Sequence, residues 1–389
     1  MQSQPLHLLH IDVFTPQGWV KDACLSIAAG RITQIAPCNK ARLSPEGRVI
    51  DCQGLLASPG WIELQINGAF GVDFAEQPQQ IWEIAARLPE FGFTAFLPTI
   101  VTSPMEVFQQ AIDVWKSGPP PGWKGATPLG LHFEGPFLNP KKKGAHNPQF
   151  LQSPNLNLIA DWEAANGVRL VTLAPELPGA FELARNLRQR GIVLSIGHSF
   201  ATYEEAIAAF EQGFQYVTHL YNAMTPLEYR APGLVGAILT HPEITVSLIA
   251  DGIHVHPAML KLAYQTRSPE QVVLVTDAMS ALGMPPGHYP LGGKQEVFVD
   301  EQSARLKDGT LAGSILKPAT ALQNMMAYCN APLEAILPCL TQTPARVLGL
   351  ASKGRLEVGA DADLTLLDSQ GNPTMTIVAG EIVYLKAQG

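Results

Sequence analysis

The sequence predicts a (β/α)8 barrel of the TIM type, carrying a small β-sandwich domain built from both chain ends. Three observations predict it. Eight short apolar runs recur between residues 61 and 279, most of them followed by an amphipathic stretch. Strands alternating with helices make a parallel sheet, and eight such units close a barrel of roughly 250 residues. The two ends of the chain read differently, as short alternating strands broken by glycine, aspartate and asparagine turns. Ionisable side chains, finally, gather at the carboxyl ends of the apolar runs, where parallel barrels keep their chemistry.

Residues 1–57 contain LHLLHIDVFT, GWVKDACLSIAAGRITQIAP and RVIDCQGLLAS, and residues 355–389 contain RLEVGADADLTLLD and TMTIVAGEIVYLK. Both segments alternate and are rich in β-branched residues, so they are expected to pair into one small domain, with 58–354 as the barrel. The eight runs are 61–68, 94–100, 129–136, 168–176, 193–199, 216–223, 246–254 and 272–279. Between them QQIWEIAARLPEFG, AFELARNLRQRG and YEEAIAAFEQG read as helices, each closed by a glycine suited to a C-cap. Residues 284–316 are rich in glycine and proline around an expected hairpin, and helices are expected at 318–329, 332–341 and 343–350. A doubly wound open sheet has the same alternation, but no glycine-rich dinucleotide turn follows the first strand.

With 389 residues, 46% of them hydrophobic, the chain can bury a large core; a net charge of −8 argues against a nucleic-acid or anionic membrane surface. The five cysteines form no C-x-x-C pair and are odd in number, which fits free thiols in a reducing compartment. The first residues lack the basic start and apolar core of a signal peptide, and no apolar run approaches the roughly 18 residues of a membrane span. A cytoplasmic protein is expected.

In chain order the strand ends carry Gln65 and Asn67, Glu134, His198, His219, His254 and Asp277. A strand-end glutamate alone would be read as the partner of a nearby lysine. Three histidines and two carboxylates, each ending a different strand, are harder to assign to packing. One carboxylate with two imidazoles is a common way to hold a zinc-like ion with one position open to water. Glu134, His198 and His219 supply that set. Asp277 is then free to act as acid and base, although spacing alone would also allow it to be a ligand.

The segments PGWIELQINGAFG, HFEGPFLNPKKKGAH, IGHS, THLYNAM, APGLVGAIL, ADGIHVHP, LVTDAM, DGTLAGS and GRLEVGADADLTLLD run through almost the whole chain in order. In these the sequence resembles the N-acetylglucosamine-6-phosphate deacetylases of the amidohydrolase superfamily. The resemblance implies a metal-dependent hydrolase barrel with a β-sandwich, usually dimeric, that removes acetate from N-acetylglucosamine 6-phosphate. It implies Glu134, His198 and His219 as metal ligands and Asp277 as catalytic base. His146, after Ala145, would contact the substrate near its amide, and His254 would be a second sugar-site histidine. Asn222 and Ala223 would lie around the phosphate, and Arg230 would reach the phosphate in the neighbouring subunit. Leu311, Ala312 and Gly313 would line the substrate. Many amidohydrolases carry His-x-His on the first strand for a second metal; here that face reads Gln65-Ile66-Asn67. The expectation is therefore one divalent ion per subunit, zinc first, with iron, cobalt or manganese as alternatives.

Other features read more plainly. Lys141, Lys142 and Lys143 could steer a phosphate, but such a loop is more often simply solvated. His132, two residues before Glu134, reads as a packed or supporting group, and His256, before Pro257, as a loop residue. Arg230 would equally suit a surface salt bridge. Two rival functions follow: another amidohydrolase acting on a cyclic amide or N-acyl amino acid, and an inactive barrel serving assembly.

Overall fold

The computed structural model describes residues 4–293 and 295–387. Eight parallel strands form the barrel: β1 (Trp61–Ile66), β2 (Phe93–Val101), β3 (Leu131–Glu134), β4 (Val168–Leu173), β5 (Val193–Ile196), β6 (Tyr216–Val217), β7 (Thr245–Leu248) and β8 (Val272–Leu274). Each coincides with one of the eight predicted runs, although Phe93–Val101 extends one residue beyond 94–100 at both ends and Thr245–Leu248 starts one residue before 246–254. Each strand pairs with the next in chain order. Just beyond β8 the ring closes through backbone bonds: Asp277 N–H donates to the Gln65 carbonyl at 2.9 Å and Asn67 N–H to the Ala278 carbonyl at 2.7 Å. Closure thus ties the residues after β8 to those at the end of β1, which is where the polar side chains were expected.

Barrel strands are apolar because both faces are covered; all nine residues of β2 are buried. The two-residue period of a strand then sorts β3. Phe133 packs against Phe108 at 4.9 Å and Trp162 at 4.7 Å between ring centroids. His132 and Glu134 take the other face. His132 is fully buried between the Thr99 and Thr172 hydroxyls at 3.2 and 2.8 Å, a supporting group below the site.

Helices Ala180–Gln189 and Tyr203–Glu211 form where expected, the second closed at its start by a Thr202–Glu205 capping box. The amphipathic stretch at 79–92 differs, since only Ile81–Arg87 is α-helical and Leu88–Phe91 tightens to a 3-10 turn. Pro89 has no N–H for the α-helical ladder. Pro338 acts likewise, and the helix expected over 332–341 becomes Leu333–Ile336 followed by a 3-10 turn, Leu337–Leu340.

The chain ends share one eight-stranded sheet. Its order is Glu381–Leu385, Pro373–Val378, Leu364–Leu367, Leu56–Pro59, Leu6–Thr15, Gly18–Ala28 and Arg31–Pro37, with Arg48–Asp51 pairing Leu6–Thr15. The two ends meet where Leu364–Leu367 runs antiparallel to Leu56–Pro59. Leu8, Ile11, Val13, Leu25, Leu364 and Ile377 belong to its own buried cluster. The hairpin expected within 284–316 is a three-stranded unit, Gly287–Leu291, Gln295–Val299 and Ala304–Arg305, and it carries Leu291 and Leu311 to the mouth of the barrel. Among the described residues no helix is long and apolar enough to cross a membrane.

Candidate active site

Glu134 ends β3, and the turn after it needs glycine. Gly135 sits at φ +94°, and an added Cβ would come within 2.3 Å of the Thr102 hydroxyl. The chain can therefore turn away sharply while the carboxylate stays at the barrel mouth. His198 and His219, which follow β5 and β6, and Asp277, which follows β8, share an unusual backbone. All three are left-handed, at φ 49°, 33° and 48°. Non-glycine residues hold that conformation at a cost of about 1–3 kcal/mol each, and such strain collects at functional sites.

The result is a tight convergence. Glu134 Oε1 lies 3.2 Å from His198 Nε2, 3.0 Å from His219 Nε2 and 3.1 Å from the donating Gln65 Nε2. The two imidazole Nε2 atoms are 3.1 Å apart. His198 Nδ1 donates to the Lys142 carbonyl at 2.8 Å, which leaves Nε2 as the lone-pair nitrogen. Two ring nitrogens and one carboxylate oxygen, turned towards a common point and buried, fit a borderline divalent cation, and this donor set contains nothing a zinc-class ion would reject. Gln65 and Asn67 are engaged elsewhere. Gln65 donates to Glu134, and Asn67 Nδ2 donates to Asp277 Oδ1 at 2.8 Å.

The electrostatics follow from burial and these contacts. Burial pushes the Glu134 pKa up, but the bonds to His198 and His219 outweigh it and hold the carboxyl well below its ordinary value. His219 moves the other way: burial favours the neutral ring, yet Glu134 prevails and raises its pKa. Asp277 is pushed up to about 6, chiefly by burial and then by the Glu134 charge. Burial, reinforced by His198, drives His146 down to about 3, so its ring is neutral. The Thr102 N–H donates to His146 Nδ1 at 3.3 Å, which places the single ring proton on Nε2, 3.8 Å from Glu134 Oε2.

These groups open into a cavity of about 330 Å³, within the range of small-molecule sites. Of the residues singled out in the sequence, Asn67, Ala145, His146, Asn222, Ala223, His254, Leu311 and Gly313 also line it. Asn222 Nδ2 faces the His219 carbonyl at 3.3 Å, and His254 Nδ1 is bonded to Asp251 at 2.6 Å. Gln65 does not line the cavity but donates to Glu134, and Ala312 is fully buried in the cluster of Met279, Leu291 and Val297. Arg230 does not reach the cavity of its own subunit. It is exposed, with its guanidinium over the Tyr229 ring at 4.8 Å.

The sequence reading sets Lys141 and Lys142 aside and does not single out Glu63 or Glu176. Lys141 and Lys142, read as a solvated loop, line the cavity, and Lys142 Nζ donates to the Met224 carbonyl at 2.6 Å. Their place between Glu134 and His146 was the available signal. Glu63, two residues before Gln65, accepts the Gln65 and Thr276 N–H groups at 2.9 and 2.8 Å and so braces β1 against β8. Glu176, beyond β4, accepts from Asn139 Nδ2 at 2.9 Å, the Ser199 hydroxyl at 2.7 Å and the Phe200 N–H at 2.5 Å. It thereby fixes the segment that leaves His198 and the loop that carries Lys142. Glu176→Gln replaces one acceptor oxygen by a donor. It should lower kcat/KM about 10- to 100-fold, the usual cost of loosening a ligand's support, and reduce metal retention in parallel. Unchanged kinetics and metal content would remove it from the site.

The amidohydrolase family model matches residues 56–383. The chain is 40% identical to N-acetylglucosamine-6-phosphate deacetylase of Homo sapiens, over 88% of this chain and 86% of that protein. With the enzyme of the same name from Bacillus subtilis (strain 168) it shares 35% identity over 99% of both. The crystal structure of N-acetylglucosamine-6-phosphate deacetylase from Pasteurella multocida superposes with a TM-score of 0.90 at 30% identity, over 97% of this chain and 99% of that one. A mutant of the Mycobacterium smegmatis enzyme, in complex with N-acetyl-D-glucosamine-6-phosphate, gives a TM-score of 0.88 at 30% identity, over 98% and 100%.

Proposed function

The chain belongs to the N-acetylglucosamine-6-phosphate deacetylase family of amidohydrolases, and from that premise we propose that it hydrolyses N-acetyl-D-glucosamine 6-phosphate to D-glucosamine 6-phosphate and acetate. The observation that carries the reading is the meeting of Glu134, His198 and His219 beside Asp277 in one cavity bordered by Lys141 and Lys142. One divalent ion on those three ligands would supply Lewis acidity, making water a nucleophile near neutral pH. Zinc suits the donors first; iron, cobalt or manganese are accepted by the same atoms.

Asp277, oriented by Asn67, takes the proton of the attacking water and later delivers it to the sugar nitrogen as acetate departs. A carboxylate whose pKa is pushed up to about 6 is well matched to both transfers. His146, neutral and protonated on Nε2, offers a hydrogen bond to the developing oxyanion. Asn222, backbone groups near Ala223 and, from a second subunit, Arg230 anchor the phosphate. Leu227 and Tyr229, 47% and 88% exposed beside Arg230, support a homodimer built across this loop. The free cysteines support a cytoplasmic setting.

Acetate release from the phosphorylated sugar and from N-acetylglucosamine separates the readings. Two charge-assisted contacts, at about 1.5–3 kcal/mol each, should favour the phosphorylated substrate on the order of 100-fold or more in kcat/KM. Equal rates would keep the hydrolase and discard the anchoring roles of Asn222 and Arg230. No rate on either sugar, with the ion bound, would point to a cyclic amide or an N-acyl amino acid. An inactive barrel has no use for an intact ligand set beside an aspartate of raised pKa.

A further inference from the structure

We propose that His10, Asp22 and Cys38 form a second divalent-metal site, at the surface of the chain-end sheet and separate from the barrel, that takes a zinc-class ion. One ligand atom from each of the three residues lies within 4.8 Å of the others. They come from three pieces of chain: His10 from Leu6–Thr15, Asp22 from Gly18–Ala28, and Cys38 from the 3-10 turn after Arg31–Pro37. Imidazole, carboxylate and thiolate together are the donors of zinc sites, and three protein ligands leave a position for water. Tetrahedral ligands at the usual bond lengths sit roughly 3.5 Å apart. Side-chain adjustments of about 1 Å would therefore bring the three atoms to ligand spacing, among them an opening of the 2.8 Å contact between His10 Nδ1 and Asp22 Oδ1.

An exposed histidine–aspartate pair is by itself an ordinary surface contact. Two further features set this one apart. His10 and Asp22 are both left-handed, at φ 55° and 45°, and the pairing of their strands is irregular between Leu8 and Ile11. The backbone thus adopts, at two non-glycine positions, a disfavoured conformation that turns both side chains towards one sulfur. The cluster is also braced from outside. Asp12 accepts the Asp22 N–H at 3.0 Å and Lys21 Nζ at 2.8 Å, which keeps that ammonium paired with Asp12. The His10 N–H donates to Cys38 Sγ at 3.3 Å, a bond compatible with a metal-held thiolate. Asp51, opposite Leu9 on the adjoining strand, adds negative charge beside the cluster.

The test uses full-length protein titrated with Co2+. The barrel's ligand set has no sulfur, so a cobalt–thiolate charge-transfer band in the near ultraviolet reports this site alone. The wild type should develop the band and bind one ion more than the barrel accounts for, with Zn2+ displacing the Co2+. Cys38→Ser should abolish the band and lower the stoichiometry by one, with deacetylase activity unchanged. His10→Ala should weaken binding more than about tenfold, since even supporting groups cost that much. The proposal fails if the wild type shows no thiolate band, if Cys38→Ser keeps it, or if His10→Ala binds as tightly as the wild type. Because the band is read without substrate, these outcomes do not depend on the barrel's reaction.

Discussion

Asp277→Asn is expected to lower kcat about 10²- to 10⁴-fold, the span that a positioned general base contributes, while the purified variant keeps its metal and still binds the phosphorylated sugar. An asparagine has the same size and can keep the bond that Asn67 makes to Oδ1, after its own amide turns. What it lacks is a site for the water's proton. The wild-type pH profile should carry the same signature. The base works only when ionised, so kcat/KM should rise with pH through an acid limb and level off. Burial and the Glu134 charge put the Asp277 pKa at about 6. A cation on the three ligands adds positive charge nearby and favours the ionised form, so the limb should lie at or below that value. In Asp277→Asn the limb should disappear from the residual rate. Wild-type kcat in this variant would falsify the base assignment and make Asp277 a ligand or a binding group.

Much of this site was legible in the sequence because parallel barrels write it in a simple code. Strands buried on both faces must be apolar, so a polar residue at the end of a run stands out, as Glu134, His219 and Asp277 do. Their convergence follows from closure, since a ring of strands brings eight carboxyl ends to one rim. The residues that stayed hidden work through contacts distant in sequence. Glu176 ends its run as plainly as Glu134 does, but its partners, Asn139, Ser199 and Phe200, belong to two other loops. Glu63 looks like a stray charge in WIELQI until β8 is placed beside β1. Lys141 and Lys142 have the composition of a solvated loop; only its path over the rim, held by the Lys142 bond to Met224, turns them inward. The broken helices, by contrast, were announced by Pro89 and Pro338. The missing N–H donors of these prolines outweigh the helical pattern around them.

Glu134→Gln is the harsher test of the metal reading, because it changes one atom at the centre of the cluster. In the wild type a single carboxylate oxygen faces His198, His219 and Gln65 at 3.0–3.2 Å, and its charge holds the arrangement together. Glutamine preserves the length of the side chain but removes the negative charge, and its amide is a poor ligand for a zinc-class ion. Loosening a supporting group costs about 10- to 100-fold in affinity, so loss of a direct ligand should exceed that. Protein purified without added metal should therefore carry far less than one equivalent in the barrel, and acetate release should fall at least as far as in Asp277→Asn. Excess Zn2+ should restore little of the rate. The contrast with Asp277→Asn makes the pair informative: one variant should bind the ion and fail to turn over, the other should fail to hold it. To count the barrel ion alone, both are best measured in a Cys38→Ser background. A Glu134→Gln protein with a full equivalent of metal and wild-type turnover would move the ion away from Glu134, and with it the role assigned to the strand end from which this cavity is built.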